Sequence, residues 1–138
     1  MEILKSKWAF IALLVLSILL VIGVMTFAAP CVHDDGTLAA CHGASQAILI
    51  AGVIACILSL AAIFVPNRKA SGAAALVAAC CGAFAAAAPG TLFGMCMMQT
   101  MRCWAVMRPF ALACGALVCI VGIVAAVRSF RQGEGRRP

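Results

Sequence analysis

Polar and apolar residues are segregated into long blocks along this chain. Four runs are almost wholly apolar, and short polar segments separate them. A helical run of about 20 residues, rising about 1.5 Å per residue, is long enough to cross a hydrocarbon core of about 30 Å. We therefore predict an all-α, polytopic membrane protein with four transmembrane helices, over residues 8–29, 45–65, 72–92 and 109–127.

The first run also has features of a secretory signal. Lys5 and Lys7 precede it, and the small residues Ala28 and Ala29 end it. Its apolar stretch of about 20 residues is longer than the about 7 to 15 residues of a signal h-region. We therefore predict an uncleaved membrane span.

The composition excludes several classes of protein. Hydrophobic residues make up 66% of the 138 positions, which is too much apolar surface for a soluble domain of this size. The formal charge of +6 comes from basic residues scattered among the polar segments, without the aromatic interleaving of a nucleic-acid surface. We predict a single membrane domain over residues 1–138, in contact with the lipid bilayer and not with nucleic acid.

Eight of the ten basic residues occupy alternate polar segments, and the other two lie between the third and fourth predicted spans. Lys5 and Lys7 precede the first span, Arg68 and Lys69 lie between the second and third, and the tail 128–138 follows the fourth. The segment after the first span has no Lys or Arg and carries two aspartates. The positive-inside rule then predicts a multi-pass protein of the inner (plasma) membrane with both termini in the cytoplasm.

The two halves of the chain are alike in outline. Each has a span leaving the cytoplasm, an outer loop with two cysteines, a return span and a basic segment. Cys41-His42 stands before one return span and Cys103-Trp104 before the other. This pattern predicts two similar helical hairpins.

Five of the nine cysteines fall inside the predicted spans, where a thiol acts as a small packing residue. The remaining four lie in the outer loops, where an oxidising compartment favours disulfides. Four cysteines allow three pairings, and the sequence leaves the choice open. The disulfide candidates, each expected to staple an outer loop, are Cys31, Cys41, Cys96 and Cys103.

Redox catalysis is the first alternative role for these cysteines. Two outer cysteine pairs on a four-span protein resemble the DsbB-type and vitamin-K-epoxide-reductase-type thiol oxidoreductases, which pass electrons to a quinone. The spacings here are Cys-x9-Cys and Cys-x6-Cys, and the close Cys-x-x-Cys pair of those enzymes is missing. Thiol–disulfide exchange requires an accessible thiolate, not one particular spacing of the cysteines. His42 and Arg102 can each lower the pKa of a neighbouring thiol.

Metal handling is the second alternative. Soft sulfur ligands suit Cu(I), and imidazoles with thiolates suit zinc. Against this, methionines near a membrane surface commonly pack against lipid. The candidate ligands are His33, His42, Cys96, Met97, Met98, Met101 and Cys103.

Two segments carry a resemblance to a known family. Residues 40–47 read Ala-Cys-His-Gly-Ala-Ser-Gln-Ala, and residues 89–96, 101–103 and 109–112 continue the match around the second cysteine pair. They resemble a bacterial four-span integral membrane family of unknown function, of the DUF4418 type. In that family a Cys-His pair opens each return helix, whereas this chain has Cys103-Trp104 at the second position. The resemblance implies the fold and a membrane location, and it supplies no activity.

These observations favour a structural or accessory subunit of a larger membrane assembly. We assign no catalytic residue and no cofactor, since the sequence has no nucleophile-base pair and no phosphate-binding loop. The expected partners are other membrane proteins. A quinone, copper or zinc enters only under the two alternatives.

Overall fold

The structure, a computed structural model, describes residues 2–26, 41–88, 91, 105–106 and 108–135. Four α-helices account for almost all of them, and no strand occurs among these residues. The predicted all-α class is confirmed, whereas the likeness of the two hairpins stays a prediction. The helices are α1 (Glu2–Thr26), α2 (Cys41–Phe64), α3 (Arg68–Ala87) and α4 (Arg108–Glu134).

Each helix is long and apolar enough to cross a membrane. The qualifying segments contain 20 residues in α1, α2 and α3 and 27 residues in α4. At about 1.5 Å per residue, each matches or exceeds a hydrocarbon core of about 30 Å. The chain is therefore a multi-pass membrane protein.

Two layers of buried side chains show how the helices run. One layer joins Phe10 of α1 to Ala62 of α2, Ala75 of α3 and Ala125 of α4. The next joins Leu13, Ala55, Ala78 and Val118, listed in the same helix order. From the first layer to the second, the residue number increases in α1 and α3 and decreases in α2 and α4. The helices therefore alternate in direction.

This alternation gives the bundle two chemically different ends. The starts of α1 and α3 meet the ends of α2 and α4 at one end, which we call the basic end because Lys7, Arg68 and Arg131 lie there. The opposite end is the cysteine end, where α2 begins at Cys41.

The closest approach in the bundle is between α3 and α4. A Cβ atom on Gly82 would lie 2.9 Å from the carbonyl oxygen of Gly115, and one on Gly115 would lie 2.6 Å from the carbonyl oxygen of Gly82. A Cβ on Gly122 would lie 2.8 Å from the Cβ of Ala79. The two backbones touch because the residues between them lack side chains or carry only a methyl group. We call this line of contact the α3–α4 seam.

In α3, residue size is distributed opposite to the pattern of a soluble protein. The buried residues of α3 are all Ser, Gly or Ala. Large aliphatic side chains instead face outward, among them Ile57 of α2 at 61% exposure and Ile120 of α4 at 59%. Association of helices in lipid depends on close packing rather than on burial of apolar surface, so small residues belong inside the bundle.

Buried serine hydroxyls are satisfied by nearby backbone carbonyls. Ser17 donates to the carbonyl of Leu13 at 2.8 Å, and Ser59 donates to the carbonyl of Ala55 at 2.6 Å. An unpaired hydroxyl would be costly in a hydrocarbon environment. These intrahelical bonds let serine act as a small interior residue.

The connection between α2 and α3 is short and tightly hydrogen-bonded. Asn67 caps α3, its side-chain oxygen accepting from the backbone N–H of Lys69 at 3.2 Å. The Ser71 hydroxyl lies 3.2 Å from the carbonyl oxygens of both Ala62 and Asn67. Such a cap contributes about 1 kcal/mol to helix stability. The start of α3 is therefore fixed against the end of α2.

Candidate functional site

Only two of the residues singled out by the sequence fall among the described residues, and both stand at the cysteine end. Cys41 and His42 are the first two residues of α2, and their side chains are outside what the structure describes. The other candidates also lie outside the described residues; they are Cys31, His33, Cys96, Met97, Met98, Met101 and Cys103. The predicted disulfides and metal ligands therefore stay predictions.

Besides Cys41, the helices contain five cysteines that are free thiols: Cys56, Cys80, Cys81, Cys114 and Cys119. Cys114 is buried and Cys80 faces outward. Within the described residues, no three His, Cys, Asp or Glu side chains gather closely enough to hold a metal ion. The role predicted for these thiols, as small apolar packing groups, stays a prediction.

A cavity of about 280 Å³ opens at the basic end. Its polar lining comes from three helices: Lys7 of α1, Arg68 and Ser71 of α3, and Ser129 of α4. The last turn of α2 and the residues after it, including Phe64 and Val65, supply an apolar wall. We call this feature the basic-end cavity.

Arg68 is held in place between two helices. It is the first residue of α3, directly after the capping residue Asn67. One terminal nitrogen of its guanidinium group donates to the side-chain oxygen of Gln132 on α4. A guanidinium group carries five N–H donors, so donors remain for a second partner.

Two buried hydroxyls line the same cavity. Ser71 is 6% exposed and Ser129 is 1% exposed. No described residue that lines the cavity carries a carboxylate. Positive charge from Lys7 and Arg68 thus meets in the cavity without a negative counterpart from the lining, an arrangement that suits an anion.

Sequence reasoning interpreted Lys7 and Arg68 only as topology signals and did not use Ser129. One signal was available in the sequence. Ser71 follows Arg68 by three residues, and residues three apart share a helix face. The contribution of Ser129 depends on how α4 packs against α3, which the sequence pattern does not reveal.

A second feature is the outer face of α3, which we define as its exposed residues. Small exposed residues stand at Ala73, Cys80, Ala83 and Ala87. Large ones stand between them at Leu76, Val77 and Phe84, each between 41% and 49% exposed. Small positions beside large ones form the holes and knobs that packed membrane helices use.

A family model described as "Domain of unknown function (DUF4418)" matches residues 13–128 of the chain. This match covers most of the chain and reaches from α1 into α4. The protein belongs to the DUF4418 family. The family resemblance noted from the two cysteine segments is thereby confirmed.

No curated protein and no solved structure matches this DUF4418 chain. The family description names no reaction or ligand. The features of this DUF4418 member's bundle that bear on function are the outer face of α3 and the basic-end cavity.

Proposed function

We propose that the protein is a structural or accessory subunit of a membrane assembly, docking on a partner helix through the outer face of α3. The observation that carries this proposal is the set of exposed small residues Ala73, Cys80, Ala83 and Ala87 on that face. A helix of another membrane protein can approach closely at small residues, and close packing is a main source of helix association in lipid.

The proposal includes an orientation in the inner membrane. Lys7, Arg68, Lys69 and Arg131 all belong to the basic end, as the alternation of the helices requires. The positive-inside rule places such an end in the cytoplasm together with both termini. The cysteine end then faces the oxidising side of the membrane.

Disulfides of the outer segments complete the proposed role. Cys31, Cys41, Cys96 and Cys103 would staple the connections at the cysteine end, with the pairing open among three possibilities. Each bridge would remove about 2 to 3 kcal/mol of unfolded-chain entropy in the loop-closure model. The thiol oxidoreductase hypothesis and the copper or zinc hypothesis concern the same end of the bundle. The redox behaviour of these thiols distinguishes both hypotheses from the structural role.

The docking proposal predicts a specific effect of enlarging one side chain. Ala83→Leu places three extra carbons on the outer face of α3, and overpacking of an interface costs about 1 to 3 kcal/mol. We expect the native complex to lose most of its occupancy, as measured by blue native electrophoresis and native mass spectrometry of mildly solubilised membranes.

Ala61→Leu is the matched control, because Ala61 is an exposed alanine on α2 rather than α3. It should leave the complex intact, and both variants should keep the helical content of the wild type. A wild-type protein that migrates as a single 14.2 kDa chain in its detergent micelle would contradict the proposal. Equal loss of the complex in both variants would also contradict docking through α3.

A further inference from the structure

We infer that the basic-end cavity binds the phosphate group of an anionic phospholipid headgroup. This inference goes beyond the proposed subunit role and does not depend on it, because the cavity and the outer face of α3 are made of different residues.

The charge of the cavity points to an anion. Lys7 and Arg68 bring two cationic groups to one cavity from two different helices. Gln132 holds one edge of the Arg68 guanidinium, which leaves other N–H groups for a ligand. Phosphate oxygens accept strong, charge-assisted hydrogen bonds from these two groups.

The buried hydroxyl of Ser129 points in the same direction. Ser129 is 1% exposed and lines the cavity. A hydroxyl in the cavity wall can donate a hydrogen bond to an acceptor oxygen of a bound phosphate group.

The size and walls of the cavity favour a lipid over free phosphate. About 280 Å³ is near the lower limit of ligand pockets, about 300 Å³, so a headgroup fits better than a larger cofactor. Phe64 and Val65 beside the cavity are 77% and 40% exposed and offer apolar contact to an acyl chain. Basic pockets at membrane-helix ends are suited to anionic headgroups.

The test is lipid retention by the intact protein. The wild-type protein is placed in nanodiscs of phosphatidylcholine that contain an increasing fraction of phosphatidylglycerol. It is then released from the nanodiscs in a native mass spectrometer, and the lipids that stay bound are counted. We expect preferential retention of phosphatidylglycerol, reduced about 10-fold in Lys7→Gln/Arg68→Gln, in line with the loss of charge-assisted bonds. Ser129→Ala, which leaves every charge in place, should reduce retention by a smaller factor.

The matched control is Lys5→Gln/Arg131→Gln, which removes the same charge from exposed residues outside the cavity lining. It should retain phosphatidylglycerol like the wild type. Single Lys7→Gln is measured as well, because Lys7 takes no part in the Arg68–Gln132 hydrogen bond and its loss should leave helix packing unchanged.

Three results would overturn the inference. One is equal loss of phosphatidylglycerol in the control and cavity variants, which would mean a nonspecific basic surface. Another is no preference of the wild type for phosphatidylglycerol over phosphatidylcholine. The third is binding of added inorganic phosphate without lipid retention, which would assign the cavity to a free anion.

Discussion

Gly115→Ala is expected to destabilise the bundle by about 1 to 3 kcal/mol, the usual cost of overpacking a well-packed interior. The added methyl group would lie 2.6 Å from the carbonyl oxygen of Gly82 and 2.8 Å from the Cβ of Ala86. The first neighbour is a backbone atom, so no side-chain rotation relieves the clash and α3 must separate from α4. The measurement is unfolding in mixed detergent and sodium dodecyl sulfate micelles, followed by circular dichroism.

Gly133→Ala on the same helix is the control for this prediction. The nearest atoms to a Cβ at Gly133 are the side chains of Arg68 and Lys69 at 4.0 Å, which is ordinary contact. Alanine is a better helix former than glycine by about 0.5 to 1 kcal/mol, so this variant should be as stable as the wild type or more so. Equal stability of the two variants would show that α3 and α4 do not meet at Gly115.

The second large effect is expected where α4 packs on α1. The ring of Phe110 occupies the position that a side chain on Gly23 would take. Gly23→Leu should therefore cost about 1 to 3 kcal/mol through overpacking. Phe110→Ala should cost about 1 to 2 kcal/mol, less than a core truncation in water, because part of the Phe110 side chain is exposed and lipid or detergent can contact what remains.

The double variant Gly23→Leu/Phe110→Ala tests whether these two positions share one space. The leucine should fill the gap left by the ring, so the double variant should be more stable than the sum of the single effects by about 1 kcal/mol or more. Free energies of unfolding for all four proteins, measured in the same micelles, give this coupling. Simple additivity would contradict the contact between α1 and α4.

The fold class could be predicted from the sequence because a membrane span has a strong one-dimensional signal. The apolar runs led directly to four helices. The pairing of Gly82 with Gly115, and of Gly23 with Phe110, depends on the rotation and register of helices distant in sequence. Composition carries no information about that register.

The basic-end cavity could not be predicted from the sequence either. Its polar residues come from positions 7, 68, 71 and 129, and only the alternation of four helices brings them together. In the sequence, Lys5 and Lys7 are both explained as topology signals. Nothing in the sequence therefore indicates that Lys7, rather than Lys5, lines a cavity. Only the structure distinguishes Arg68 from Lys69, because it shows the Arg68 guanidinium donating a hydrogen bond to Gln132 of α4.

The proposed structural role predicts that the outer cysteines form stable disulfides rather than exchanging electrons between thiols. Alkylation of the four cysteines at positions 31, 41, 96 and 103, read out by mass spectrometry across a series of redox buffers, tests it most directly. We expect all four to stay bridged down to strongly reducing potentials, because structural disulfides resist reduction by the glutathione pool. After full reduction, a membrane-impermeant maleimide should label them from outside the cell. A pair that opens readily at mild potentials would contradict the structural account and favour a thiol oxidoreductase.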